Sequence, residues 1–443
     1  VTAASAPRAA GLGEGFGRLW AAAIGSNLAD GIARFAIPLT AVTLTRDPMA
    51  ISILTALAFL PWLFFGIPAG MVVDRIDRRV AMAVANAMRV LAAAGVALAI
   101  ATGHISIAVL AIATVIFGIG ETLFDNATNA VLPALVPRAG LDRANGRIQA
   151  TQTGVDMFVA TPISGVLFAA AVALPMIVGG LGYLIAAGFV LALPVAAARA
   201  SGPSPQAAAS HVPLREAMRF LWEHHYLRSM VIVTSIMGSM LIMAQAVTVL
   251  LFVDRFGVTA QVVGLVTAGI GLGAVAGSLT SGLVVRALGR GRTMLASTLI
   301  AGLGLLGVGF APNAWLATAS YAVGAYGVST WNVPWGSLRQ SIVPGPMLGR
   351  VIGASRTVSW GLFPIATLAG GALARVDLQL PYLVGGAASV VIALISARLL
   401  LSADAHMPDD DAHPDDDARP DDARPPEGDV EAAADEVGAP TAA

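Results

Sequence analysis

The sequence predicts an all-α membrane protein of twelve transmembrane helices, built as two six-helix pseudo-repeats. Three observations carry that prediction. The 443 residues are 56% hydrophobic with a mean hydropathy of +0.77, too apolar for a surface that faces only water. Apolar runs of about 20 residues, the length that crosses a hydrocarbon core of about 30 Å as a helix, recur along the whole chain. Two pairs of charged junctions also repeat at nearly one offset. Spanning β-strands would read as short alternating segments, and a signal peptide would supply a single run. The chain has no cysteine, which removes disulfides and thiolate metal sites.

Reading apolar runs between turn and charge signals places spans near 19–44, 51–72, 81–102, 105–127, 148–170, 174–198, 228–252, 262–285, 293–311, 315–337, 351–374 and 381–401. The loop arginines alternate sharply. The N-terminus and the loops after spans 2, 4, 6, 8 and 10, with Arg398, hold nearly all of them; Arg46, Arg255 and Arg375 stand alone on the other side. Arginine enrichment marks the cytoplasmic side, so the expectation is a multi-pass protein of the cell (inner or plasma) membrane with both termini cytoplasmic.

The organisation follows from composition. Residues 1–16 form a cytoplasmic N-terminus, 17–200 a first six-helix bundle, 201–226 a linker and 227–401 a second bundle. The linker is Pro/Ser/Ala-rich at first. It then sets Leu214, Met218, Leu221 and Trp222 on one helical face and Arg215, Arg219 and Glu223 on the other, as in a helix lying in the membrane interface. His224 and His225 at its end lack the spaced partners a metal site needs. Residues 1–401 carry 24 Arg, no Lys and 13 acids, whereas 402–443 carry 2 Arg and 14 acids. A basic membrane body therefore precedes a low-complexity acidic tail, expected to be disordered.

The repeat is visible in two places. "GMVVDRIDRR" (70–79) aligns with "GLVVRALGRG" (282–291), matching Gly70 to Gly282, Arg78 to Arg290 and Asp74 to Arg286. "VPRAGLDRANGR" (136–147) aligns with "VPGPMLGRVIGA" (343–354). Duplicated halves in parallel orientation belong to rocking transporters, whose substrate site lies between the halves near mid-membrane.

Ionisable residues within spans are costly in lipid and point to function. Span 1 carries Asn27, Asp30 and Arg34 on one face; span 4 carries Glu121, Asp125 and Asn129; span 5 carries Gln149, Gln152 and Asp156; span 3 adds Arg89. Two pairings suggest themselves, Asp30 with Arg34 and Glu121 with Arg89. Asp30, near the middle of span 1, is the first choice for a carboxylate that loads and releases protons, and Asp30→Asn is expected to fold normally and lose pH-driven export. The second half offers Gln245, Trp331, Asn332, Trp335 and Trp360 and no acid at membrane depth, a mostly apolar and aromatic wall suited to a bulky amphipathic substrate. The glycine run "GIGLGAVAG" (269–277) lies inside span 8 without a preceding strand, so it reads as close helix packing and not as a nucleotide loop. No Walker sequence, zinc ligand set or nucleophilic triad is present, and the expectation is a non-enzyme with no cofactor and no metal.

"GMVVDRIDRR" resembles the signature loop between helices 2 and 3 of the major facilitator superfamily, through Gly70, Asp74, Arg75, Arg78 and Arg79, with Asp77 where many members have glycine. "GETLFDNATNAVLPALVP" (120–137), "LDRANGR" (141–147), the amphipathic linker and "LRQSIVP" (338–344) resemble the branch of macrolide-efflux and enterobactin-exporter proteins. The resemblance covers about residues 16–401. It departs at "TPISGV" (161–166), which keeps only Pro162 and Gly165 of the helix 5 element of drug antiporters, and helix 4 lacks the arginine of many proton antiporters. The resemblance implies the major facilitator fold. It also implies that Asp74 meets the cytoplasmic end of span 11 and latches the halves in the outward-facing state, with Gly70, Arg75, Arg78, Arg79, Gly282, Arg286 and Arg290 completing a conformational gate.

The functional expectation is a secondary active transporter that exports drug- or macrolide-like amphipathic small molecules by alternating access as a proton antiporter. A siderophore or secondary-metabolite exporter is the alternative within transport, and a non-transporting membrane sensor or scaffold the alternative outside it. The expected partners are a small-molecule substrate, protons and the lipid bilayer, with no nucleic acid, and the expected state is a monomer.

Overall fold

The computed structural model describes residues 12–137, 140–195 and 214–406. Each predicted span is met by helix in it, residues 196–198 of the sixth lying outside the described residues, and no strand occurs among the described residues. The first half comprises α1 (Glu14–Leu44), α2 (Pro48–Val73), α3 (Arg78–Ala101), α4 (Ile107–Leu135), α5 and α6 (Leu174–Leu191). Helix α5 runs through Leu141–Gly154, a π-helical segment Val155–Ala160 and Thr161–Ala170. After the linker helix Leu214–Glu223 come α7 (His225–Gln245, extended by Thr248–Leu250 and a π-helical Leu251–Arg255), α8 (Ala260–Leu288), α9 (Arg290–Gly309), α10 (Ala314–Ile342), α11 (Gly345–Ala374) and α12 (Leu380–Ile395).

A helix satisfies its own backbone, which is why an apolar chain in lipid adopts it throughout. Eight of these helices are long and apolar enough to cross a bilayer, nine if α12 is counted with the Ala397–Ala405 helix bent 60° from it. The other three are α1 and α10, which carry polar residues at depth, and α5, which is interrupted. Several helices start earlier than the apolar runs predict, because helical backbone continues into the headgroup region. The helix starts are capped where the sequence allows. Asp47 accepts from Met49 N–H (3.0 Å) ahead of Pro48, Ser106 from Val109 N–H (3.3 Å) and Asn313 from Leu316 N–H (3.0 Å). Ser106 and Asn313 are partners in the 207-residue repeat.

The halves pack alike. Helix α4 lies on α2 and α3, as α10 lies on α8 and α9, and α3 packs on α6 as α9 packs on α12. Glycine gives the second half its closest crossings. A side chain at Gly273 or Gly277 would overlap the backbone of Ala322 or Tyr326 in α10, so "GIGLGAVAG" is a packing seam. The linker helix buries Leu221 in a cluster with Met230, Leu338 and Val351, while Trp222 faces outward and Arg219 pairs with Glu223 at 3.4 Å. His224 accepts a hydrogen bond from Leu227 N–H and so caps α7.

Between the halves, α2 packs on α11 and α5 on α8. One hydrophobic cluster bridges them, joining Phe35, Leu39 and Phe168 to Leu251, Phe252 and Val263. These contacts lie toward the Arg-poor side, where α1 ends and α8 begins. The α2–α11 contact passes from Ser52 against Gly371 through Phe59 on Phe363 to Trp62 on Trp360 (ring centroids 5.6 and 5.2 Å). Beyond Trp62, a Cβ at Gly66 or Gly353 would meet nothing within 4 Å, nor would one at Gly282 in α8. The halves are therefore sealed on the Arg-poor side and part toward the Arg-rich side.

Candidate transport cavity

The first-half wall is organised by one fully buried cation. Arg89 of α3 is 0% exposed and Asp30 of α1 is 8% exposed. Arg89 Nη1 donates to both Asp30 oxygens at 2.8 and 2.7 Å, Nη2 donates to Asn86 Oδ1 at 2.6 Å and Nε to Ala85 O at 3.3 Å. The Tyr183 hydroxyl of α6 donates to Asp30 Oδ1 at 2.7 Å. The guanidinium lies over the rings of Tyr183 and Phe124, at 4.7 and 5.1 Å from their centroids. Gly120 leaves room for this arrangement, since a Cβ there would meet Arg89 Cγ at 2.8 Å. The cluster ties α1, α3 and α6 together.

This corrects the pairings expected from sequence. Asp30 is bound to Arg89, not Arg34, and Glu121 to Arg34, not Arg89. Arg34 Nη2 donates to Glu121 Oε1 at 2.9 Å, with side chains 56% and 21% exposed. Charged groups that open at membrane depth cannot face lipid and so face the space between the halves. Asn27 is buried one turn before Asp30; Asp125 is partly buried one turn beyond Glu121 and makes no hydrogen bond among the described residues. Asn129 is exposed, and Gln152 partly buried. The π-helical segment interrupts the α5 stripe just where Asp156 falls, and the Asp156 side chain lies outside the described residues. Tyr183 and Asn86 were missed from sequence; a lone tyrosine in span 6 gives no periodic signal.

In the second half, a cavity of about 320 Å³ opens where α7, α10 and α11 meet. Its lining includes Asn332, Trp335, Arg339, Arg356, Trp360 and Phe363. Trp360 and Phe363 reach Trp62 and Phe59 of α2, so its rim adjoins the first half. Arg356 lies over Trp360 at 4.8 Å and Arg339 over Trp335 at 5.7 Å. Trp331 is buried behind the wall, Asn332 is exposed into it, and Gln245 is exposed at the other end of α7 without lining it. The wall is thus more cationic than the sequence reading expected. Another groove, about 440 Å³, is lined only by apolar residues of α3 and α6 such as Leu98 and Leu181.

The gate residues divide into anchors and free groups. Asp77 caps α3 by accepting from Arg79 N–H at 2.9 Å and pairs with the Arg79 guanidinium at 2.9 Å, which also donates to Leu193 O at 3.2 Å. That pairing holds the Asp77 carboxyl below its ordinary pKa. Gly70 approaches Asn126 of α4, where a Cβ would lie 3.6 Å from Oδ1. Asp74, Arg75 and Arg286 are exposed, and Asp74 has no ion pair among the described residues. Arg78 is partly buried with its Nε unsatisfied. Gly282 is exposed, and Arg290 uses its backbone N–H to bind Asp404. The Asp74 side chain makes no hydrogen bond or ion pair to α11 among the described residues.

Sequence reasoning also missed the ion pairs on the Arg-poor side. Arg375, after α11, donates to both Asp47 oxygens at 2.8 and 2.6 Å, and Arg46 meets Asp254 at 3.1 Å. Both link the first half to the second. Arg375 also holds the Asp47 carboxyl below its ordinary value.

Fold and cavity together define a polytopic helical membrane protein with two similar halves around a charged, membrane-embedded space. The chain belongs to the major facilitator superfamily, whose sequence profile matches residues 19–362 and 242–428. Among curated relatives, macrolide efflux protein A of Streptococcus pyogenes is 24% identical over 390 residues, covering 86% of this chain and 94% of the relative. The multidrug efflux pump Tap of Mycolicibacterium fortuitum is 25% identical over 397 residues, covering 84% and 94%. The enterobactin exporter EntS of Escherichia coli is 31% identical over 245 residues, covering 53% and 55%. The fold is also that of a bacterial homologue of the human lysosomal transporter Spinster, crystallised inward-facing and unoccupied. That structure has a TM-score of 0.68 at 16% identity and covers 90% of this chain and 98% of its own.

Proposed function

We propose that this protein exports amphipathic small molecules by alternating access, driven by proton antiport. The observation that carries the reading is the space between the halves, charged at depth, sealed on the Arg-poor side by Asp47–Arg375 and Arg46–Asp254 and parted on the Arg-rich side. With the Arg-rich loops in the cytoplasm, this is the state that loads substrate from inside. The macrolide and multidrug efflux relatives support the direction and the amphipathic substrate class.

The proton step is assigned to Glu121. Asp30 is sealed beneath Arg89 and Tyr183 at 8% exposure, whereas the Glu121 side chain is 21% exposed. In the cytoplasm-facing state Glu121 is ionised and bound to Arg34. After the halves rock, it takes a proton from outside as the substrate leaves. On return it gives that proton to the cytoplasm, and the Arg34 pair re-forms. A siderophore or secondary-metabolite exporter is the second reading, favoured by the 31% identity to the enterobactin exporter.

The test is uptake of a chemically varied amphiphile panel into inverted vesicles containing the full chain, with pH and sodium gradients imposed separately. Accumulation driven by an acid lumen alone is expected. If no amphiphile accumulates under either gradient, the export reading fails; if sodium alone drives it, proton antiport fails.

A further inference from the structure

We propose that the second-half cavity is an anion site, in which Arg339 and Arg356 hold the acidic group of an amphipathic organic anion whose rings lie against Trp335 and Trp360. The inference rests on the export reading and narrows its substrate class.

Two guanidiniums line one cavity of about 320 Å³, within the size range of small-molecule sites. No carboxylate among the described residues pairs with either. The second-half acids are placed elsewhere: Asp254 meets Arg46, Asp377 accepts from Gln379 N–H, and Asp404 binds the start of α9. Arg339 Nε is buried and unsatisfied. Arg339, partly buried with an orphaned donor, and Arg356, exposed into the same cavity, are like charges that repel each other, and neither has a compensating carboxylate among the described residues. An anion removes both defects together.

The aromatic groups add direction. Each guanidinium lies on a tryptophan face, an arrangement that restrains its plane while leaving its edge N–H groups for a ligand. Trp360 is itself braced by Trp62 of the opposite half. Flat donors beside indole rings suit a carboxylate, phosphate or sulfonate attached to an aromatic skeleton. A cation or a neutral polar molecule would leave both arginines uncompensated.

The probes are anilinonaphthalene sulfonate and its uncharged parent, phenylnaphthylamine, which differ by the anionic group. Binding to the full chain in nanodiscs is titrated by fluorescence, with empty nanodiscs subtracted. Arg339→Gln and Arg356→Gln should each weaken the sulfonate about tenfold, and salt should weaken it in the wild type. Phenylnaphthylamine should bind all forms alike, and the Lys variants should keep most sulfonate affinity. Unchanged sulfonate binding in both Gln variants overturns the proposal. So does an equal loss for the two probes, which would mean that the arginines shape the cavity or pair with first-half acids on closure. Vesicle uptake of both probes separates the readings. Arginine-dependent binding without uptake leaves the anion site standing and removes export, whereas uptake indifferent to the sulfonate does the reverse.

Discussion

The Asp404 carboxylate covers the start of α9 over Gly289, accepting from the N–H groups of Arg290 and Gly291 at 3.3 Å each. Gly289 is the repeat partner of Asp77, which covers the start of α3 with its own side chain. In one half the cap is local. In the other the loop has a glycine at φ +82°, a conformation that favours glycine, and the carboxylate comes from beyond α12. Asp404→Ala should cost about 1 kcal/mol, the usual worth of a cap at a helix N-terminus. Thermal unfolding in detergent checks this; an unchanged midpoint removes Asp404 from the fold's anchors.

Asp30→Asn should destabilise the protein by about 3–5 kcal/mol, because it strands Arg89 with no counter-charge at 0% exposure. This reverses the sequence-based expectation of normal folding. Replacing both partners, Asp30→Leu with Arg89→Met, should recover much of the loss, since no unpaired charge is left. A double-mutant cycle on unfolding midpoints measures the coupling, and additive losses would argue against the pair.

The spans were legible because lipid imposes one length and one backbone solution on them. The repeat was legible because its junctions keep charge and glycine at fixed spacing. Partners were not, because a stripe such as Asn27–Asp30–Arg34 reveals which face is polar but not which helix meets it. Arg34 lies four residues from Asp30, yet α3 brings Arg89 to the carboxylate instead. Arg356 falls only five residues into the apolar run at 351–374, near its edge. Helix α11 begins at Gly345, which places it about three turns in, beside Trp360. The pairing of Asp47 with Arg375 spans most of the chain and leaves no local pattern.

Asp47→Asn should raise the share of molecules open on the Arg-poor side by about two- to fivefold, the modest effect of an exposed ion pair. The Arg375 guanidinium depresses the Asp47 pKa below 3.8. The pair is therefore fully present above that value and lost only as pH falls through the depressed one. Between about pH 5 and 8 it contributes no pH dependence. Accessibility labelling of cysteines introduced near Asp47, followed against pH, checks both statements. A transition in that window at the wild-type pair would refute them.

Asp74→Asn should leave the stability of this state unchanged, because Asp74 is exposed and unpaired here. If it latches the halves against α11 in the opposite state, its loss should shift the population toward the state parted on the Arg-rich side. Labelling from that side should rise, while Gly70→Leu, which crowds Asn126 of α4, should also lower stability. Equal labelling of wild type and Asp74→Asn would reject the latch.

Glu121→Gln should abolish the response to a pH gradient while substrate binding survives, because the amide cannot load a proton yet keeps the side chain's shape beside Arg34. The substitution breaks a partly exposed pair, so stability should fall by no more than about 1 kcal/mol, far less than for Asp30→Asn. The comparison separates the two carboxylates. Export in vesicles normalised to folded protein should lose its pH dependence in Glu121→Gln, with downhill exchange of preloaded substrate retained. Asp125→Asn, one turn away, should keep pH-driven uptake. Were Glu121→Gln to accumulate substrate normally under an acid lumen while Asp125→Asn did not, the proton would belong to Asp125, and the Arg34–Glu121 pair would be a brace between α1 and α4.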